Sequence, residues 1–251
     1  VEQVTLHSKK IPARIGRIRI VQITDLHMGP MLYPGRLGPI FSAIRETQPD
    51  ILVSTGDLID GPIRHAEEVA EAFKALPAPL GKFAVTGNHE FYYGIDKAVA
   101  FTESAGFHML RNTGTVIENT IALAGVDDPA AGADVSAAQK AALASLPADK
   151  FTVLLKHRPV DDPAGGRFDL QLSGHTHKGQ IFPFGLVVRL FYPMINGLYK
   201  VGPSSYLYAS RGAGTWGPPI RLLSTPEITI FDLLPAETQT PKSTNRTRRK
   251  Y

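Results

Sequence analysis

Two histidines flank one threonine in LQLSGHTHKGQ, residues 170–180, placing His175 and His177 at the end of an alternating apolar run. Four other short blocks carry side chains of related chemistry: Asp25 and His27 in TDLHMG, Asp57 and Asp60 in GDLID, Asn88 and His89 in GNHE, and His157 in KHRP. Imidazole, carboxylate and carboxamide groups hold hard and borderline divalent metals, and no thiolate competes because the chain has no cysteine. Where the backbone is extended, residues i and i+2 point to the same side. On that geometry Asp25 and His27 face one crevice while Leu26 turns into the core, and His175 and His177 do likewise with Thr176 facing away. A pair at that spacing, ~7 Å along the backbone, grips one ion or reaches two neighbouring ones. Gly56, Gly87 and Gly174 precede ligand-type residues, at positions where a Cβ would obstruct close packing. His7, His65 and His108 sit in no such setting and receive no role.

The elements that must position these blocks are short β-rich runs alternating with helix-like stretches, the pattern of a layered α/β fold. Strands are predicted at 18–24, 50–55, 82–87, 115–119, 121–126, 151–156, 168–174 and 227–233. Helices are predicted at 36–47, 65–76, 96–105 and 136–146, the last capped by Asp134 or Ser136 and closed by Pro147. Five of the predicted strands are followed almost at once by one of the chemical blocks. Open α/β sheets collect their chemistry at the carboxyl ends of strands, where loops distant in sequence converge.

The 251 residues suit one large α/β domain, assigned to 1–234, with a basic disordered tail over 235–251. No apolar run approaches the ~20 residues needed to cross a bilayer. The chain opens on Val1, which leaves room for an upstream signal or anchor. The net charge of +4 divides unevenly. Residues 1–20 hold five basic residues against Glu2, and residues 241–251 hold five with no acid, so the intervening body carries −5. An acidic body argues against a specific nucleic-acid surface. The basic ends are either solvated tails or attraction to an anionic membrane, at ~1 kcal/mol per cation close to the surface.

Taken in order, D-x-H, G-D-x-x-D, G-N-H-E, a lone H and G-H-x-H resemble the signature of the calcineurin-like metallophosphoesterases. The segment YASRGAGTWGPPIRLLSTPEITIF, 208–231, is similar to the closing part of a bacterial subgroup related to YkuE and YaeI, whose members are often membrane-anchored or exported. The resemblance implies a two-sheet β-sandwich flanked by helices in four α/β/β/α layers. It further implies Asp25, His27 and His177 on one metal, Asn88, His157 and His175 on the other, and Asp57 bridging them. His89 would touch the scissile phosphate and protonate the leaving oxygen; Asp60 would be structural. Two divalent ions would lower the pKa of a shared water and clamp phosphate oxygens, and the resemblance implies hydrolysis of a phosphodiester or pyrophosphate bond. Mn²⁺ is the first expectation, with Zn²⁺, Fe or Co²⁺ as alternatives.

Substrate specificity is less legible. Lys178, after the histidine pair, either touches a substrate phosphate or points to solvent. Lys156 and Arg158 either steer an anion or face solvent. Residues 181–202, IFPFGLVVRLFYPMINGLYKVG, are either core strand material or a hydrophobic lip beside the crevice, the prolines and glycines opposing a long helix. Together with the basic ends, a lip implies a lipid-linked or amphiphilic substrate at a membrane surface. The alternatives are a phosphodiesterase for soluble nucleotides or general diesters, and a catalytically silent metal-binding module. Oligomeric state is not encoded in any of these features.

Overall fold

The computed structural model describes residues 1–30 and 34–236, without the side chains of residues 34–36. Twelve strands are found among these residues: β1 (Glu2–Ser8), β2 (Ile18–Ile23), β3 (Ile51–Ser54), β4 (Lys82–Ala84), β5 (His108–Met109), β6 (Thr113–Ile117), β7 (Ile121–Val126), β8 (Phe151–Lys156), β9 (Leu170–Ser173), β10 (Gly197–Lys200), β11 (Tyr206–Ala209) and β12 (Thr229–Pro235). Six α-helices connect them: α1 (Pro34–Thr47), α2 (Ala66–Lys74), α3 (Asn88–Tyr93), α4 (Ile95–Ser104), α5 (Val135–Ala144) and α6 (Phe184–Phe191). The strands form two six-stranded mixed sheets, ordered β1-β12-β2-β3-β4-β5 and β10-β11-β9-β8-β7-β6. In the first sheet β2, β3, β4 and β5 run parallel; in the second, β7, β8, β9 and β11 do.

Period-two alternation assigns each face. Ile18 and Ile20 of β2 and Ile51 and Val53 of β3 turn inward to meet Leu123, Val153, Leu155, Leu170 and Leu172 of the second sheet. Their neighbours Val21, Ile23 and Leu52 turn outward into a second cluster, with Ile44 of α1, Phe73 of α2 and Ala98 of α4. On the far side Ala124, Val126 and Leu154 pack against Ala142 and Leu143 of α5. Three apolar layers separate four structural ones, so the expected α/β/β/α sandwich is the fold. Truncating any of these wholly buried leucines or isoleucines to alanine would cost about 2–5 kcal/mol.

The expected strands and helices are present within a few residues of their predicted bounds. Asp134 rather than Ser136 caps α5, its carboxylate accepting from Ala137 N at 3.1 Å. Strands β1, β5, β10 and β11 and helices α3 and α6 were not anticipated. β12 extends to Pro235, paired with Ser8, and the rest of the predicted tail, 237–251, lies outside the described residues.

Two polar contacts lock the sheets together next to the chemical blocks. Gln22 Nε2 donates to Ser173 O at 3.0 Å and to Thr55 Oγ1 at 2.8 Å. His157 Nδ1 lies 2.8 Å from Thr55 O, so that ring nitrogen carries the hydrogen.

Candidate metal centre

All five blocks converge where β2, β3, β4, β8 and β9 end. The route is not the pleat expected from sequence. Asp25, His27, Asp57, His175 and His177 have φ of 54°, 50°, 50°, 71° and 47°, in the left-handed region. Each chain therefore turns sharply at the ligand-type residue instead of running on as a strand, and His177 opens a short 3₁₀ turn. Non-glycine residues held this way cost on the order of 1–3 kcal/mol each, and such strain gathers at functional sites. Leu26 does enter the core, fully buried, and Thr176 does face away, its hydroxyl donating to Ile195 O at 2.9 Å.

Close approach explains all three glycines: a Cβ on Gly56, which is held at φ 97°, would lie 2.6 Å from Gly87 N and 2.7 Å from His157 Nδ1. A Cβ on Gly87 would lie 2.2 Å from Asp57 Oδ1, and one on Gly174 would lie 2.1 Å from Asp25 Oδ2. Either would displace the carboxylate it abuts.

Two donor clusters result. Asp25, His27 and His177 offer ligand atoms within 4.8 Å of one another, and Asp57, His157 and His175 do the same. The i,i+2 pair of histidines thus divides between the clusters. Asp57 stands between them: its Oδ2 is 3.1 Å from His157 Nε2 and 3.9 Å from His27 Nε2. Asp25 is anchored by the His175 amide at 3.0 Å and the Thr24 hydroxyl at 2.8 Å. Asn88 Oδ1 is buried with no hydrogen-bond partner among the described residues. A buried carbonyl left unpaired is costly, and a divalent cation among these all-N/O donors would satisfy it. The residues present therefore fit a pair of such ions.

Electrostatics follow the same division. Burial outweighs the opposing Asp57 charge and lowers His27 to about 4; burial, reinforced by neighbouring cationic groups, lowers His175 to about 3 and drives His177 well below the ordinary imidazole value. These rings are neutral, the form that ligates metal. Burial alone would raise Asp57, but His157, His27 and His89 outweigh it and hold the carboxyl well below its usual range. Burial likewise opposes the charge on His157, yet the Asp57 carboxylate pushes it up to about 10. Asp25, with burial dominant and Asp57 nearby, rises to about 6.

His89 stands apart. Its ligand atoms also fall within reach of His27 and Asp57. Its Nδ1, however, is only 2.5 Å from Asp60 Oδ1, and its ring is more open than those of His27 and His157. Burial works against protonation of His89, but Asp60 and Asp57 more than compensate and its pKa is raised.

The remaining sequence candidates are engaged elsewhere. Lys156 is buried, its Nζ donating to Gln139 Oε1 at 2.9 Å, so it neither faces solvent nor steers an anion. Arg158 grips Asp128 through two nitrogens at 2.8 and 2.9 Å. Its Nη1 reaches Tyr192 OH at 3.4 Å, and the Tyr192 ring packs edge-on to His175. Lys178 is partly exposed beside His177.

Three contributors escaped sequence reasoning. Glu90, inside GNHE, accepts from the amides of Asp57, Leu58, Ile59 and Gly87 at 2.7–3.2 Å, tying the loop after β3 to the loop after β4. The acidic residue three positions beyond Gly87 was the available signal, a helix-start pattern. Arg221 donates to the carbonyls of Arg211, Gly212 and Gly214 and lies 3.0 Å from His177 Nδ1, pinning the closing segment to that ring. Tyr192 shared the apolar 181–202 stretch and had no local signature.

A four-layer sandwich with two carboxylate–histidine clusters at the ends of its central strands defines a metal-dependent hydrolase scaffold. The model of the calcineurin-like phosphoesterase family matches residues 18–179, which contain every one of the five blocks, and the chain belongs to that family. It is a phosphoric ester hydrolase by that membership. An Aquifex aeolicus metallophosphoesterase is 38% identical over 238 residues, covering 93% of this chain and 91% of that protein. YkuE of Bacillus subtilis, a metallophosphoesterase, is 34% identical, covering 91% of this chain and 83% of that one. A Danio rerio transmembrane protein with metallophosphoesterase domain is 32% identical, and there the chain spans 56% of the relative's length. Among solved structures, a 5'-nucleotidase precursor from Thermus thermophilus superposes with a TM-score of 0.54 at 16% identity, over 87% of this chain and 54% of that one, a likeness of fold.

Proposed function

We propose that residues 1–234 act as one unit that hydrolyses a phosphodiester or pyrophosphate bond at two divalent ions, Mn²⁺ before Zn²⁺, Fe or Co²⁺. The observation that carries this is Asp57 Oδ2, placed between the histidines of both clusters. Asp25, His27 and His177 would hold one ion, Asn88, His157 and His175 the other, with Asp57 shared. When bound, such a pair supplies an activated water and a clamp for developing charge on phosphate oxygens.

The chain's own groups do the rest. Asp60 fixes the His89 ring through Nδ1 and favours its protonated form, leaving Nε2–H to give a proton to the leaving oxygen. Lys178, at the rim, supplies a cation for a phosphate oxygen, and Arg158 holds Tyr192 against His175 rather than meeting substrate directly. Chelation should abolish turnover of bis-p-nitrophenyl phosphate and Mn²⁺ should restore it. Failure with all four metals would sink the assignment.

The substrate we infer is lipid-linked or amphiphilic, met at an anionic membrane surface by a protein that is membrane-associated or exported. Support comes from α6, an eight-residue helix with no buried side chain and Leu190 81% exposed. The basic N-terminal stretch contributes less than its charge suggested. Lys10 is paired with Asp169, while Arg17 and Arg19 are paired with Asp232. No helix among the described residues is long and apolar enough to cross a membrane.

A further inference from the structure

A cavity of about 530 Å³ shares His175 and His177 with the candidate metal centre and is also lined by Thr176 between them. Its other walls are largely apolar: Ile181, Phe184, Val187, Val188, Phe191 and Trp216. Phe184, Val187, Val188 and Phe191 recur at i, i+3, i+4 and i+7, so one whole face of α6 lines it. Phe184 is 59% exposed and Phe191 75%, so that face has no protein partner among the described residues to cover it.

The side-chain polar groups of Gln180, Thr176 and Tyr192 in this cavity are engaged internally. The Gln180 amide donates to Trp216 O at 2.8 Å and accepts from Trp216 N at 2.8 Å. The Thr176 hydroxyl is held by Ile195 O, and Tyr192 OH lies against Arg158. A nucleobase or sugar placed here would find few partners to replace the water it loses. An aliphatic chain loses nothing polar and gains from every methylene removed from water.

We propose that this cavity seats an aliphatic chain of the substrate, covalently joined to the phosphate that is cleaved beside His175 and His177. The proposal rests on the phosphoesterase reading above and assigns its specificity. Continuity of the cavity with the two histidines decides between occupants: whatever fills it must connect to the phosphate within a few bonds. Leu222 N donates to Gln180 O at 3.0 Å, so the exposed Leu222 adjoins one of the wall residues.

Two measurements test the seat separately from the chemistry. Trp216, the chain's single tryptophan, lines the cavity and reports on it by fluorescence. Decyl phosphate below its critical micelle concentration should give a saturable blue shift that glycerol phosphate and nucleoside monophosphates do not. Val187→Asp, at a 54%-exposed position that tolerates the change in the folded chain, should weaken that binding at least about tenfold, and Val187→Thr by less. With the Mn²⁺-loaded protein, kcat/KM for alkyl p-nitrophenyl phosphates should rise about two- to fourfold per added methylene from methyl to octyl, flattening in Val187→Asp. No shift with decyl phosphate, or a flat series, overturns the proposal. So does faster turnover of a thymidine p-nitrophenyl ester than of the octyl one, which would place a stacked base on Trp216. A chain effect confined to concentrations above micelle formation also overturns it. A saturable shift without turnover of any diester keeps the seat and removes the phosphoesterase reading instead.

Discussion

His89 and Asp57 sit within one hydrogen bond of each other, yet the tasks proposed for them are separable, because the His89 amide, not its ring, donates to Asp57 Oδ1 at 2.9 Å. Removing the His89 ring leaves the donor clusters intact. His89→Ala should therefore bind both metals, by elemental analysis, while turnover falls about 10²–10⁴-fold, the usual worth of a positioned acid. Asp57→Asn should do the reverse, losing metal first and activity as a consequence, and full occupancy in that variant would remove Asp57 from its bridging place. Asp60→Asn should lower kcat with little change in KM, since Asp60 touches the His89 ring and its partner role is exerted through it. That these five blocks converge was legible from sequence, because each follows a predicted strand and their spacing resembles one family's signature. What spacing could not reveal was how the backbone aims them. Residues i and i+2 share a face only where the chain is extended, whereas the left-handed turns at Asp25, His27, Asp57, His175 and His177 are conformations that Asp and His tolerate better than most residues. Composition permits that conformation without announcing it.

At the scale of elements, the strands that carry the blocks were readable because short, mostly buried runs of three to six residues rich in apolar side chains have few other uses. The edges of the sheets were not. β1 alternates exposed and half-buried residues and is held by its parallel pairing with β12, a contact spanning more than two hundred residues of sequence. Two predictions belong here. Glu90 collects four amides from two loops with a buried carboxylate, so Glu90→Ala leaves several donors without partners. A loss of about 1–3 kcal/mol is expected, a fall of roughly 2–12 °C in melting temperature. Asp232 joins β12 to β2 through Arg19, with two contacts of 2.8 and 2.9 Å. The Arg19 hydrogen bonds outweigh burial and depress the Asp232 pKa below its ordinary 3.8. A depressed carboxyl stabilises the fold above its unfolded value and loses that contribution as pH falls through the folded one. Asp232→Asn should therefore melt earlier than the wild-type chain at pH 7, and the gap should narrow below about pH 3.8, measured by calorimetry.

Across the whole molecule, the decisive contrast is between a fully layered core and one helix left outside it. Three apolar clusters are closed off from water, yet α6 has seven apolar residues or glycine in eight and buries none. The sequence left this stretch open between core strand and hydrophobic lip because apolar content alone does not say which surface a segment meets. One face of α6 borders the cavity; Leu186 and Leu190, 63% and 81% exposed, are absent from the cavity wall. Removing two leucines from water on a lipid surface is worth about 1.5–3 kcal/mol each. Vesicles containing anionic lipid should accordingly co-sediment the protein at low salt. Leu186→Glu with Leu190→Glu should weaken that binding at least about tenfold without shifting the melting temperature, because neither side chain supports the core. The salt dependence separates the two contributions. Lys10, Arg17 and Arg19 are already paired within the fold, so apolar contact should dominate and raising salt from 0.05 to about 0.5 M, which shortens screening to a few ångströms, should leave most of the binding in place. Binding that vanished with salt but survived the double substitution would transfer the membrane contact from α6 to the remaining basic residues.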